Sequence, residues 1–229
     1  MSRRIKLLYS ALFLTSTISF LMTFLFVSST NSLPIINGVI LKSTQPLKPF
    51  SLVDHNNNSF TNSELLGRWH IVSYGYTSCP DICPTTLSIL AKVAHKIEQE
   101  GTYSDIEFLF YTVDYERDTV DRLSKYMPYF HPKFIGLTRM DNEGGSFQAF
   151  EQSLGVTSVI TMDKQENTDS AISRKVKNYS VAHGVMLYLL NPAGELQAIL
   201  KPSSEKDGGK YFSAEKIYND YRSIRDFMG

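Results

Sequence analysis

The chain has little cysteine, two residues in 229. A disulfide framework is therefore excluded as the source of its stability, and a chain of this length can bury a sufficient core without staples. No second cysteine pair is present, so a zinc site of the four-cysteine kind is excluded. Net charge is absent as well, because 23 basic residues balance 23 acidic ones. No overall basic field points to nucleic acid, and none is expected as a partner. Neither a P-loop nor a G-x-G-x-x-G pattern occurs, which removes the common sequence signs of nucleotide binding.

Charge is also missing locally. The stretch 7–27, "LLYSALFLTSTISFLMTFLFV", carries none. As a helix rising 1.5 Å per residue it would extend about 31 Å, roughly one bilayer core. Arg3, Arg4 and Lys6 precede it, and the next positive charge is Lys42. The positive-inside rule then keeps the N-terminus cytoplasmic and places the rest beyond the membrane. A cleaved signal peptide is the rival reading, but no A-x-A-like site follows, and no cysteine is there for lipid attachment. Residues 1–27 are read as a single membrane anchor, 28–47 as a polar linker and 48–229 as the folded domain. The segment ahead of the span is too short for a mitochondrial transit peptide. The expected setting is a bacterial inner membrane with the domain in the periplasm, where a thiol pair can cycle or bind metal.

The domain alternates element types. "FSLVDHNNNSF" (50–60) reads as a hairpin around an Asn-rich turn. "HIVSYGYT" (70–77) and "IEFLFYTVD" (106–114) read as strands rich in β-branched and aromatic residues. A helix is expected over about 84–99, with Leu87, Leu90, Ala91 and Ala94 on one face. A second is expected over 119–128, capped by Asp118. "KFIGLT" is a short strand and "NEGGSFQAFEQSL" a helix. "GVMLYLL" (184–190) and "ELQAIL" (195–200) flank a β-turn at Asn191-Pro192-Ala193-Gly194. The last helix runs over about 213–227. This order gives an α/β fold with a mixed sheet flanked by helices, closed by a hairpin. The polar stretch 161–180 is too long for a routine connection, so it is functional, partly structured or mobile.

Both cysteines fall in "GYTSCPDICP" (75–84), at the end of an early strand, where open α/β sheets place their sites. Pro84 suits the first position of a helix. Cys83 would then be the N-cap, with Cys79 in the loop before it, and both sulfurs would face the positive helix end, which favours thiolates. Thiolates are soft ligands that select Cu(I) or zinc. Two leave a third to be recruited, and His183 is the best of the five histidines. It opens an apolar strand that can neighbour the strand leading into Cys79. His55, His70, His95 and His131 read as surface or packing residues. A buried inert cysteine pair, behaving as two small hydrophobes, is the bland alternative.

The stretches "GYTSCPDICPTTL" (75–87), "TVDYERDT" (112–119), "FHPKFIGLT" (130–138) and "VAHGVMLYLLNPAGEL" (181–196) resemble, in order and spacing, the Sco/SenC copper chaperones. These are thioredoxin-like proteins that help assemble cytochrome c oxidase. The resemblance covers nearly all of 48–229. It implies that Cys79, Cys83 and His183 bind copper, as Cu(I) and in some states Cu(II). It also implies delivery to the binuclear copper site of oxidase subunit II, and leaves the upstream copper donor unknown. The chain departs from the family's pattern at Tyr115, where proline is usual, and at Ala182 and Gly184 beside the histidine, where Asp and Ser or Thr are common. Loss of that acid removes an outer partner for the ring. The competing reading is a thiol–disulfide oxidoreductase in which Cys79 and Cys83 are the redox pair, reducing cysteines of subunit II or another envelope protein. Its weakness is the three-residue spacing and the lack of a proline directly before the strand 184–190. A peroxidase is disfavoured, because Tyr76 and Val72 stand where peroxiredoxins carry activating Thr and Pro.

Overall fold

The computed structural model describes residues 3–27, 33–140, 146–156, 158–162, 179–204 and 210–228. The chain divides into two compact units, Met1–Pro34 and Ile35–Gly229. The first unit holds helix α1 (Arg3–Val27). Its side chains are described at Ile5, Tyr9 and residues 12–22. Among the described residues no helix is long and apolar enough to cross a membrane. Within that stretch Leu12, Phe13, Ile18, Phe20 and Leu21 are exposed.

The second unit is built on an eight-stranded sheet. In chain order its strands are β1 (Gly38–Pro46), β2 (Ser51–Asp54), β3 (Ser59–Thr61), β4 (Trp69–Gly75), β5 (Ile106–Thr112) and β6 (Ile135–Arg139). A separate pair, β7 (Ser158–Met162) and β8 (Tyr179–His183), comes next, and β9 (Leu187–Leu190) and β10 (Glu195–Leu200) complete the large sheet. Their spatial order is β1-β10-β9-β4-β5-β6-β2-β3. Strands β4, β5 and β6 run parallel, and the other neighbours in the sheet are antiparallel. The expected 50–60 hairpin is present as β2–β3, with Ser51 opposite Thr61.

Strand β4 is buried along its whole length, as a central strand covered on both faces should be. Alternation divides its side chains. Trp69 and Ile71 join one core with helices α2 (Ile82–Glu100) and α5 (Ala214–Met228). Val72 and Tyr74 join the other, which includes Phe150 and Leu154 of α4 (Ser146–Leu154). In α2 the buried residues Leu87, Leu90, Val93, Ala94 and Ile97 recur at spacings of three and four, one helical face. Truncating one such leucine to alanine costs about 2–5 kcal/mol. The helix stops at Gly101, whose φ of 67° is the left-handed conformation that glycine adopts without strain.

The structure corrects three expectations and adds detail to a fourth. The linker 28–47 contains β1, an edge strand pairing Gly38 with Leu200 and Val39 with Ile199. The cue was only Val39-Ile40-Leu41, and a half-exposed edge strand leaves a weak pattern. Helix α2 begins at Ile82 with Asp81 as N-cap, so Cys83 is the second helical residue and Pro84 the third. Proline fits there because the first-turn N–H groups have no helical acceptor, and the carbonyl it would meet belongs to Pro80, outside the helix. Helix α3 (Val120–Tyr126) is capped by Thr119, whose hydroxyl accepts from Arg122 N. Asp118 does other work. The polar stretch 161–180 starts and ends in the β7–β8 pair, where Ser158 lies opposite His183, and residues 163–178 fall outside the description.

Candidate metal centre

Cys79 and Cys83 sit at the carboxyl end of β4. Both are buried, at 9% and 4% exposure, and both are thiols rather than halves of a disulfide. The turn between β4 and α2 closes through Cys79 N donating to Tyr76 O at 3.2 Å. Cys83 enters from the first turn of α2 and packs on Gly75. A Cβ on Gly75 would come within 2.5 Å of the Cys83 sulfur, a contact that only glycine avoids. Burial pushes the Cys83 thiol up, and its hydrogen bond with Cys79 adds to that, although the Tyr76 backbone pulls the other way. The expectation of a thiolate stabilised by the helix end is thus corrected for Cys83. Desolvation is the largest cause of that rise, and a bound cation would hold this sulfur deprotonated.

Beneath the thiol loop lies Asp118, whose side chain is wholly buried. Its carboxylate accepts from Thr77 N at 2.8 Å, Thr77 Oγ1 at 2.5 Å and Thr112 Oγ1 at 2.7 Å. It therefore fastens the loop carrying the cysteines to the end of β5. Arg122 stands outside it, 3.7 Å from Oδ1, and donates to Ser78 Oγ at 2.9 Å. Burial raises the Asp118 pKa, and the Thr77 and Thr112 hydrogen bonds only partly offset this. Two residues lie beside the sulfurs to which the sequence reading gave no role at the thiols. Tyr76 hydrogen-bonds Cys79 through its side chain and lies under the Arg117 guanidinium, 6.0 Å from the ring centre. Tyr126 places a buried hydroxyl without a hydrogen-bond partner among the described residues where Cys83, Cys79 and Asp118 all raise its pKa, after burial itself. Aromatic residues around a reactive turn carry no spacing signal, so only the fold reveals them.

The structure brings Cys79 and Cys83 together. For His183 it gives the backbone, at the end of β8, and its side chain lies outside the description. Strand β9 pairs antiparallel with β4, Leu187 opposite Ser73, so the residues before Leu187 approach the end of β4 that leads to the thiols. Gly184 makes that approach explicit, since a Cβ there would lie 2.8 Å from Tyr74 Oη. The family's usual Ser or Thr would require that hydroxyl to shift. A small cavity is lined jointly by Cys83, Tyr74, Val185 and Met186. The chain beside His183 and the sulfur of Cys83 thus border one space.

A helix-flanked mixed sheet with a cysteine pair where its first fully buried strand passes into the following helix defines the class, a thioredoxin-like α/β protein with a thiol corner. The SCO1/SenC family model matches residues 41–210, and the chain belongs to that family. It is 32% identical over 172 residues to a protein of Stutzerimonas stutzeri named for copper binding, covering 75% of this chain and 77% of that one. It is 34% identical over 145 residues to the mitochondrial SCO2 homolog of Danio rerio, covering 63% of this chain. The match spans 47% of that relative's length. Among solved structures, copper-bound ScoI of Arabidopsis thaliana superposes with a TM-score of 0.62 at 30% identity, over 79% of this chain and 98% of the other.

Proposed function

We propose that this protein is a copper chaperone whose soft-metal site is Cys79, Cys83 and His183. The observation that carries the reading is the thiol corner. Two buried thiols in mutual contact are held on Gly75 by a fastened loop, and the segment following His183 borders the same space. Copper supplies a soft cation that accepts thiolate and imidazole ligands. The chain supplies two sulfurs whose protons must leave for the metal to bind, which couples binding to pH and to the thiol redox state. The relative named for copper binding and the copper-bound Arabidopsis structure support copper as the cargo. The acceptor we propose is the binuclear copper site of cytochrome c oxidase subunit II. Residues 7–27 would anchor the protein in a bacterial inner membrane, with the domain in the periplasm, a reading that rests on the uncharged apolar run and the basic residues before it.

The contact between the two thiols also favours a second reading. Cys79 and Cys83 could close a disulfide while transferring two electrons to a disulfide on the acceptor, returning that acceptor to two thiols. The readings separate by Cu(I) competition titration of the reduced full chain against His183→Ala. A chaperone loses affinity and changes its spectrum on substitution. Unchanged affinity and spectrum would remove His183 from the site, and reduction of an oxidised subunit II domain that persists under copper chelation would favour the redox role.

A further inference from the structure

Helix α2 carries a second group of metal-type donors at its far end. His95 and Glu98 are three residues apart and share a face. His131 comes from the loop between α3 and β6, and its side chain is 3% exposed. Glu98 Oε2 lies 3.6 Å from His95 Nδ1 and 3.6 Å from His131 Nε2. One donor atom from each residue can be chosen so that all lie within 4.8 Å of one another. From the sequence these histidines read as surface and packing residues. Glu98 and His131 are 33 positions apart in the chain, and no local motif links them.

We propose that His95, Glu98 and His131 form a second metal site, for a borderline divalent ion of the zinc class, separate from the thiol corner. Cys83 and His95 are twelve residues apart on one helix, about 18 Å at 1.5 Å per residue, so the two sites share no ligand. A tetrahedral ion with bonds of about 2.0–2.1 Å places its donors about 3.3–3.4 Å apart. The two Glu98 contacts are already close to that, and the His95–His131 separation must shorten. Two imidazoles and a carboxylate suit Zn(II) and Cu(II). They lack the thiolates that draw Cu(I). Three protein donors leave a coordination position open, and an open cavity of about 330 Å³ lined by Glu98, His131, Glu107 and Arg68 gives room for a water or another ligand there.

Lys133 acts on this site in two ways. Its Nζ holds Glu98 Oε1 at 2.6 Å, which orients the carboxylate with Oε2 toward the imidazoles, the role of an outer-shell partner. Its backbone N–H donates to His131 Nδ1 at 3.3 Å, so the neutral ring carries its proton on Nε2. An ion taking Nε2 shifts that proton to Nδ1 and opens this long contact. The ammonium also repels a cation. The site is therefore tuned for modest affinity and exchange rather than permanent retention.

The test uses the full chain with Cys79→Ser and Cys83→Ser, so that no thiolate competes. Calorimetric titration with Zn(II) should show saturable uptake of one ion. Glu98→Gln and the exposed His95→Ala should each weaken it by about 10–100-fold. Co(II) should give visible ligand-field bands without sulfur charge transfer, a readout that a loss of folding would abolish together with the native circular dichroism. Absence of saturable Zn(II) uptake would overturn the proposal. So would uptake that both substitutions leave unchanged, since the ion would then sit elsewhere. Either failure leaves Cu(I) binding at the thiol corner unaffected.

Discussion

The two ends of α2 treat polar groups in opposite ways. At its start, donors are buried and fastened. Cys79, Cys83 and Asp118 lie within the protein, and Asp118 receives three hydrogen bonds. Toward its other end His131 is buried but His95 and Glu98 are open to water, and the carboxylates there meet exposed charged side chains, as in Lys133–Glu98 and Arg68–Glu107. The carboxylates record the difference. Burial raises Asp118, whereas Glu107 is lowered, chiefly by its contact with the His70 imidazole 3.4 Å away and further by Arg68. A site that must hold two thiols in one geometry is built by exclusion of water and directional bonds. A site made of exposed charge gains its order only when something binds.

The largest effect expected from this contrast is on stability. Asp118→Ala leaves Thr77 and Thr112 donors buried without an acceptor and should cost about 3 kcal/mol or more. Asp121→Ala, three residues on and exposed beside Lys125, should change stability by less than about 0.5 kcal/mol. Urea unfolding of both variants checks this, and equal losses would mean that the fastening under the thiol loop is not what distinguishes the two.

Gly75→Ala comes next. Its new methyl meets the Cys83 sulfur at 2.5 Å, so the thiol or the strand must shift, at about 1–3 kcal/mol. Because the sulfur is displaced, Cu(I) affinity should fall by about tenfold, the scale on which ligand orientation matters. Zn(II) uptake at the far end of the helix should not change. Competition titrations on the one variant read both numbers. A loss at both ends would show that the ends are not independent.

How much of this was legible in the sequence follows the same division. The thiol corner was readable because strand, turn and helix start are contiguous, and because Pro84 and the cysteine spacing constrain it locally. Its details were not. Asp118 looked like a cap because an acidic residue before a helix is usually one, whereas here Thr119 takes that place and tertiary burial claims the aspartate. Tyr76 was noted only as a mismatch to peroxiredoxins and Tyr126 gave no signal, since an aromatic residue in a strand end or a helix is ordinary. Strand β1 was missed because an edge position needs little apolar patterning. The pairing of β7 with β8 was hidden by the polar stretch between them. That the strand 184–190 can neighbour the strand leading into Cys79 was read from the order of elements, and the register of β9 on β4 agrees.

The smallest effect expected is in the pH dependence of stability, and its sign differs between the ends. The folded state keeps a proton on Asp118 longer than the unfolded chain does. Its contribution therefore falls as pH rises from about 4, the ordinary aspartate value, through its raised folded value. Glu107 resists protonation in the folded state, so its contribution is lost as pH falls below about 4.3 through its lowered folded value. Unfolding measured across this range should show that Asp118→Asn flattens the decline above about pH 4 and Glu107→Gln the decline below it. The same sign of change in both variants would erase the contrast.

The account stands on copper being held by two sulfurs and one imidazole nitrogen. X-ray absorption at the copper edge of the reduced, Cu(I)-loaded full chain measures that ligand set directly. The account predicts a copper shell of two sulfurs with one nitrogen, the nitrogen lost in His183→Ala. A shell of sulfur alone, or one that His183→Ala leaves unaltered, would contradict it.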